Sequence, residues 1–150
     1  MRVYLVVVDE TAEALVALRF AARRAADTGG AVHIVALVPR QDFNAFAGVQ
    51  ATIEAEARDR AEVLATSAAG ALMSEMGRMP QIAVRVGDGE AVIRDYLAEH
   101  PEVAALVLGA ASGGNPGPLV THFSAHAGNL PCPVFLIPGG LTEDEIDRLS

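Results

Sequence analysis

Asp9 and Glu10 stand directly after the apolar run Val3-Tyr4-Leu5-Val6-Val7-Val8. Carboxylates in such a place can accept hydrogen bonds from sugar hydroxyls or hold a cation. Taken alone they read as a solvated turn whose charge suits the start of a helix. Much further along, the stretch Gly109-Ala110-Ala111-Ser112-Gly113-Gly114-Asn115-Pro116-Gly117-Pro118 runs into Thr121. Glycines let a backbone approach an anion closely, and a helix N-terminus points N–H groups at it. An ordinary surface loop has the same composition, so that stretch carries both readings.

Other chemistry-bearing residues have plain structural explanations. His122 and His126 are four apart and share a helix face, as zinc-binding pairs do. No HExxH glutamate lies between them and no third ligand is evident, so they read as an exposed polar stripe and no metal is expected. His33 falls in an apolar run and reads as a core histidine with a partner. His100 stands at a helix end, where the dipole favours it. Cys132, between Pro131 and Pro133, reads as a small buried hydrophobe. Met73, Met76 and Met79 read as fillers of core gaps.

Several reaction classes are excluded. All 11 basic residues are arginine, which removes the P-loop lysine, Schiff-base chemistry and the lysine of response regulators. No glycine follows the first apolar run, so there is no GxGxxG dinucleotide turn. Ser112, Ser124 and Thr121 sit in no G-x-S-x-G elbow. A nucleotidyl transferase would need a HIGH-like histidine pair and often a lysine loop, and neither is present. The chain is therefore expected not to be an enzyme.

The elements that must position these residues follow from periodicity. Val3 to Val8 is a β-branched run buried on both faces, the mark of a parallel strand. Thr11 caps a helix with Leu15, Leu18, Ala22 and Ala25 inward, stopped by Gly29-Gly30. Ala31 to Val38 is the second strand, and 39–52 a loop. Ile53 to about Met76 is a long helix with Ala55, Val63 and Leu64 inward. Gln81 to Val86 is a strand ended by Gly87-Asp88-Gly89. The next helix carries Val92, Ile93, Tyr96 and Leu97 and stops at His100, before Pro101. Ala104 to Leu108 is a strand. A helix spaced by Leu119, Phe123, Ala127 and Leu130 leads to a last strand, Val134 to Ile137. Thr142-Glu143-Asp144-Glu145 is a capping box with Leu141 and Ile146 as its staple, predicting a short tail helix. Strict alternation of buried strands and helices implies right-handed crossovers and a three-layer α/β/α domain with a parallel sheet. In such a sheet ligands bind beyond the carboxyl ends of the strands, where the strand order reverses.

At 150 residues and 51% hydrophobic content the chain is one domain with a proper core. A net charge of −8 opposes contact with nucleic acid or anionic lipid. The single cysteine fits a reducing compartment. The N-terminal apolar run is too short for a signal peptide and no run approaches a membrane span; the cytoplasm is the expected location.

In order and spacing these pieces resemble the universal stress protein family. The resemblance rests on Val8-Asp9 ending the first strand, Ala36-Leu37-Val38 ending the second, Val84-Arg85-Val86-Gly87-Asp88, Leu106-Val107-Leu108-Gly109, and Pro131-Cys132-Pro133-Val134. It spans about residues 2 to 138, giving a domain of 1–138 and a tail of 139–150. It implies a five-stranded parallel sheet in the order 3-2-1-4-5, the adenine nucleotide alpha hydrolase-like fold. It also implies ATP with magnesium as a ligand. In that role Val8 would border the nucleotide, Asp9 would meet the ribose, Val38 the adenine edge through its backbone, and Gly109, Ser112, Gly113 and Thr121 the phosphates. Members that bind ATP carry G-x2-G-x9-G-[S/T] here. In this chain Ser112 stands where the second glycine belongs, Val120 replaces the glycine before Thr121, and the loop is two residues short.

The implied function is a small stress-response binding module, with adenine nucleotide held weakly in the crevice between the loops after strands 1 and 4. The alternative is an interaction protein that binds no nucleotide and acts as a dimer. In that sheet order Val134 to Ile137 is an uncharged edge, which predicts a homodimer joined through it, alongside unnamed regulatory protein partners.

Overall fold

A computed structural model describes residues 1–38 and 47–150. Five strands, β1 (Val3–Val8), β2 (Ala31–Val38), β3 (Gln81–Val86), β4 (Val103–Ala110) and β5 (Val134–Pro138), form one parallel sheet. Its order is β3-β2-β1-β4-β5, as expected. Helices α1 (Ala12–Thr28), α2 (Ala47–Met76), α3 (Gly89–Glu99), α4 (Pro118–Ala125) and α5 (Glu143–Leu149) connect and flank it, with a 3-10 turn at Ala127–Asn129.

The pleat of β1 divides the core in two. Tyr4, Val6 and Val8 pack beneath α1, α2 and α5, while Val3, Leu5 and Val7 pack beneath α3 and α4. All six are buried, so the continuous apolar run is what a strand covered on both faces requires. Helix α1 rests on the sheet through small residues, with Ala14, Ala17, Ala21, Ala22 and Ala25 buried around Leu18. A β-carbon on Gly109 would lie 2.1 Å from the Glu13 carbonyl oxygen, so the bare backbone of β4 is what admits the start of this helix.

Several expectations are corrected. Leu15 is 52% exposed, because the alanine stripe beside it makes the close contact with the sheet. The long helix starts at Ala47, not Ile53; the rest of the expected loop, 39–46, lies outside the described residues. Its inward face is Ala61, Leu64, Ala65, Ala68, Ala69 and Leu72, whereas Ala55 is exposed and Val63 is 70% exposed. Leu64 is inward as expected; alanine is apolar at every turn, so periodicity alone misplaced Ala55 and Val63. Met73 and Met79 are exposed and only Met76 touches the core. The helix after the glycine-rich loop ends at Ala125, and Ala127 belongs to the 3-10 turn.

The tail forms a helix. Thr142 accepts from the Glu145 N–H at 3.2 Å, and the Thr142 N–H donates to the Glu145 carboxylate at 3.1 Å, completing the capping box. Ile146 is 1% exposed in the α1 side of the core, with Leu141 packed against the same cluster. Arg19 and Arg23 both grip Asp147, at 3.0 and 2.9 Å, tying α5 to α1. Among the described residues no helix is long and apolar enough to cross a membrane.

Candidate functional site

The strand order reverses between β1 and β4, and their C-terminal ends open into a crevice of about 290 Å³. Asp9 enters from the end of β1 and Gly109 from β4; Gly117, Pro118 and Val120 bring the start of α4 to its wall. Asp88 and Glu90, at the start of α3, close the opposite side. This is the place that the sheet topology prescribes for a ligand.

Of the residues singled out in the sequence, the structure brings some together. Asp9 lies between this crevice and an adjoining hollow of similar size, which Val8, Val38 and Arg60 line. One Asp9 carboxylate oxygen accepts from the Thr11 N–H at 2.9 Å and from the Thr11 hydroxyl. Thr11 occupies the N-cap position of α1, as expected, but its side chain bonds Asp9 and makes no capping hydrogen bond to the helix. The Val38 carbonyl accepts the Gly87 N–H at 3.0 Å.

The glycine-rich loop is arranged differently from a phosphate cradle. Ala111 N–H donates to the Pro116 carbonyl at 3.0 Å, and Gly117 N–H to the Asn115 side chain at 3.1 Å. The loop thus closes on itself and uses those donors internally. Ser112 and Gly113 do not line the crevice. The Ser112 hydroxyl oxygen instead lies 3.2 Å from where a β-carbon on Gly140 would stand, facing the turn after β5. Thr121 is exposed and its hydroxyl donates at 2.9 Å to the carbonyl of Gly117, the residue that precedes α4. Val120 is buried in the α3/α4 side of the core and also lines the crevice.

The charge of the lining is one-sided. Asp9, Glu13, Asp88 and Glu90 are among the residues that line it, and none of the described residues that line the crevice is basic. Asp88 and Glu90 were not singled out in the sequence as site residues. Their signal lay in the topology: α3 leaves the outer strand β3 and crosses back towards β4, carrying its first turn over the strand ends. Asp88 also caps α3, accepting the Ala91 N–H at 3.4 Å. Leu37 and Leu119 meet above Gly89, each 2.9 Å from where its β-carbon would be, and both line the crevice.

The remaining candidates lie elsewhere. His33 is buried and its Nδ1 is 2.9 Å from the Tyr96 hydroxyl, the satisfied core histidine expected. Burial pushes its imidazole pKa down and the Tyr96 phenol up to about 12. His100 Nδ1 lies 3.0 Å from the Tyr96 carbonyl at the end of α3. Cys132 is buried, and burial raises its thiol pKa. His122 and His126 stack with ring centres 4.3 Å apart, and His122 Nδ1 lies 3.2 Å from a Glu90 carboxylate oxygen. Among the described residues no group of three or more histidine, cysteine and acidic side chains is placed to hold a metal.

A model of the universal stress protein family matches residues 1–138. Solved structures share the fold. The universal stress protein UspA of Lactobacillus plantarum superposes with a TM-score of 0.78 at 19% identity, covering 91% of this chain and 97% of its own. A universal stress protein family protein of Arabidopsis thaliana with AMP bound gives 0.62 at 15% identity, covering 92% of each. A universal stress protein in complex with cAMP gives 0.63 at 13%, covering 91% and 96%. No curated protein sequence matches the chain.

Proposed function

The chain belongs to the universal stress protein family, and on that premise we propose that it is a regulatory binding module that holds a small adenine nucleotide weakly in the crevice between β1 and β4. The observation that carries this reading is the place of Asp9, which lines the crevice where the strand order reverses between β1 and β4. In this reading Asp9 accepts from ribose hydroxyls, Gly109 borders the same crevice, and Val38 borders the adjoining hollow that Arg60 also lines. Ligand pockets run from roughly 300 to 1,000 Å³, so a crevice of about 290 Å³ suits a nucleoside or its monophosphate. The relatives with AMP and cAMP point to the same ligand class.

ATP with magnesium fits these residues less well. The loop that would cradle its phosphates donates two of its N–H groups internally, and Ser112, Gly113 and Thr121 stand off the crevice. A triphosphate would also bring more negative charge than a monophosphate to a crevice lined by four acidic residues and no arginine among the described residues. Nothing in this reading asks the crevice to turn its ligand over. Calorimetric titration with AMP, cAMP and ATP with magnesium tests it. Micromolar or weaker binding of the monophosphates is expected, and a submicromolar dissociation constant for ATP with magnesium would overturn it.

The second reading, an interaction protein whose crevice stays empty, is favoured by β5. This strand ends the sheet and Leu136 on it is 41% exposed. Under either reading we propose a homodimer joined along β5. Melting with and without AMP separates the two, because a ligand that binds only the folded state raises the melting temperature.

A further inference from the structure

We propose that Arg60 on α2 receives the phosphate of the nucleotide: the nucleoside occupies the crevice, its ribose meets Asp9, and the anionic group crosses into the adjoining hollow instead of reaching for the glycine-rich loop. This inference rests on the reading of the crevice as a nucleotide site and deepens it by assigning the charged end of the ligand.

The crevice and the hollow of about 290 Å³ beside it share Asp9, Thr11 and Leu37, so the two adjoin across the end of β1. The Asp9 carboxylate is held at this junction, because Thr11, which donates to it, borders both spaces. Val8, Val38, Ala61 and Leu64 give the hollow its apolar walls, and Glu10 and Arg60 line it as well. Arg60 Nε meets a Glu10 carboxylate oxygen at 3.3 Å. Both partners of that pair line the same hollow, which puts the guanidinium at its wall.

Charge leaves a phosphate one place to go. Among the described residues that line the crevice or the hollow, Arg60 is the only basic one. The glycine-rich loop spends two of its N–H donors on itself. A guanidinium is a planar fork of several N–H donors that matches the oxygens of a phosphate. In Arg60 only Nε is engaged, and among the described residues Glu10 is its only hydrogen-bonding partner. The two side chains are 58% and 75% exposed. An ion pair so exposed contributes little, so a phosphate takes the place of Glu10 at small cost. Asp9 and Glu10 line the same hollow and oppose the anion, which keeps binding weak. The ligand then lies in the reverse of the direction that the family motif implies, with its phosphate beside Val38 and its base towards Gly109.

The test is calorimetry with AMP and with adenosine, which carries no charge. It is run at about pH 7.5, where a phosphate monoester is mostly doubly ionised, and at low salt, where exposed charges are least screened. AMP should bind about three- to tenfold more tightly than adenosine, the scale of one charged contact near a surface. Arg60→Gln should remove that preference through AMP alone and leave adenosine unchanged. Glu10→Gln, which frees the guanidinium, should tighten AMP and not adenosine. Arg58→Gln takes the same charge from the same helix, at a residue that lines neither space and pairs with Glu62 at 3.6 Å, and should keep the preference. A preference for AMP that survives Arg60→Gln, an equal loss in Arg58→Gln, or adenosine bound as tightly as AMP by the unmutated protein would overturn the assignment while leaving the nucleotide site standing. Failure of both ligands to bind would overturn the site and the assignment together.

Discussion

Asp9 serves two partners from one carboxylate. Thr11 donates to one of its oxygens through both N–H and hydroxyl, and this holds the chain in the tight entry to α1. The same side chain borders the crevice and the hollow beside it. Asp9→Ala should weaken nucleotide binding by about 1.5–3 kcal/mol, the worth of a hydrogen bond to a charged group. Asp9→Asn keeps an oxygen for Thr11, so its melting temperature should stay near that of the unmutated protein while affinity falls. Calorimetry and thermal melts on the two variants decide this, and unchanged affinity in both removes Asp9 from the site. His33 titrates against the fold. Burial lowers its pKa in the folded chain, so the unfolded chain takes the proton first. Stability should be complete above about pH 6.5 and should fall as pH drops through that value. The lowered carboxylates, Glu145 and Asp147, lose their contribution as pH falls through the ordinary carboxylate range and below it, beneath the pH at which His33 begins to act. Urea melts at pH 7.5 and 5.5 should show the drop, and His33→Gln should remove most of it.

At the scale of the element, two short helices make opposite demands. Helix α5 has only seven residues, too few to persist alone. It holds through its capping box, through Asp147 on Arg19 and Arg23, and above all through Ile146 in the core. Ile146→Ala should therefore lower stability by roughly 2–4 kcal/mol in urea unfolding, as for other buried isoleucines. A loss well under 1 kcal/mol would mean that the tail contributes little to the core. Helix α4 must present its first turn to the crevice while Val120 and Phe123 pack inward. Val120→Gly should cost at least about 2 kcal/mol, combining lost burial with the glycine penalty in a helix. If the valine alone keeps phosphates out, the same variant should bind ATP more tightly. Without that gain, the short, self-bonded loop 111–117 is the cause.

Across the whole molecule the two sheet edges differ. On β3, Gln81 and Arg85 break the apolar run, and Arg85 pairs with Glu99 at 3.3 Å. On β5, Val134, Phe135, Leu136 and Ile137 carry no charge. Phe135 is covered from one side by Phe20, edge-on at 5.9 Å, and by the Arg24 guanidinium at 5.8 Å. Helix α5 packs against α1. An uncharged edge of this kind is an invitation to pairing, and a twofold axis across it would join two sheets into one. The proposed dimer predicts twice the subunit mass by light scattering at micromolar concentration. Leu136→Lys should give a folded monomer with unchanged circular dichroism. A single subunit mass for the unmutated protein would refute it.

The sequence by itself determined the element order, the parallel sheet and the place of the crevice. Those depend on local signals: β-branched runs such as Val3 to Val8, stops such as Gly29-Gly30, and the capping box at Thr142, each read from a few neighbouring residues. Which residues line the crevice was decided only by the tertiary structure. Asp88 and Glu90 reach it because α3 crosses the sheet, a path of the whole chain that no short motif records. Gly109 has the composition of a phosphate-approaching glycine, yet its bare backbone admits the carbonyl of Glu13 on α1, nearly a hundred residues earlier. Helix faces were also beyond local reading wherever alanine filled every turn, as in α2, because burial there follows from what lies opposite and not from side-chain type. The same holds for His122. In the sequence it is paired by spacing with His126; in the fold it stacks on His126 and also meets Glu90, one helix away. Charge at the crevice comes from three places, the end of β1, α1 and the start of α3, and only folding brings them together.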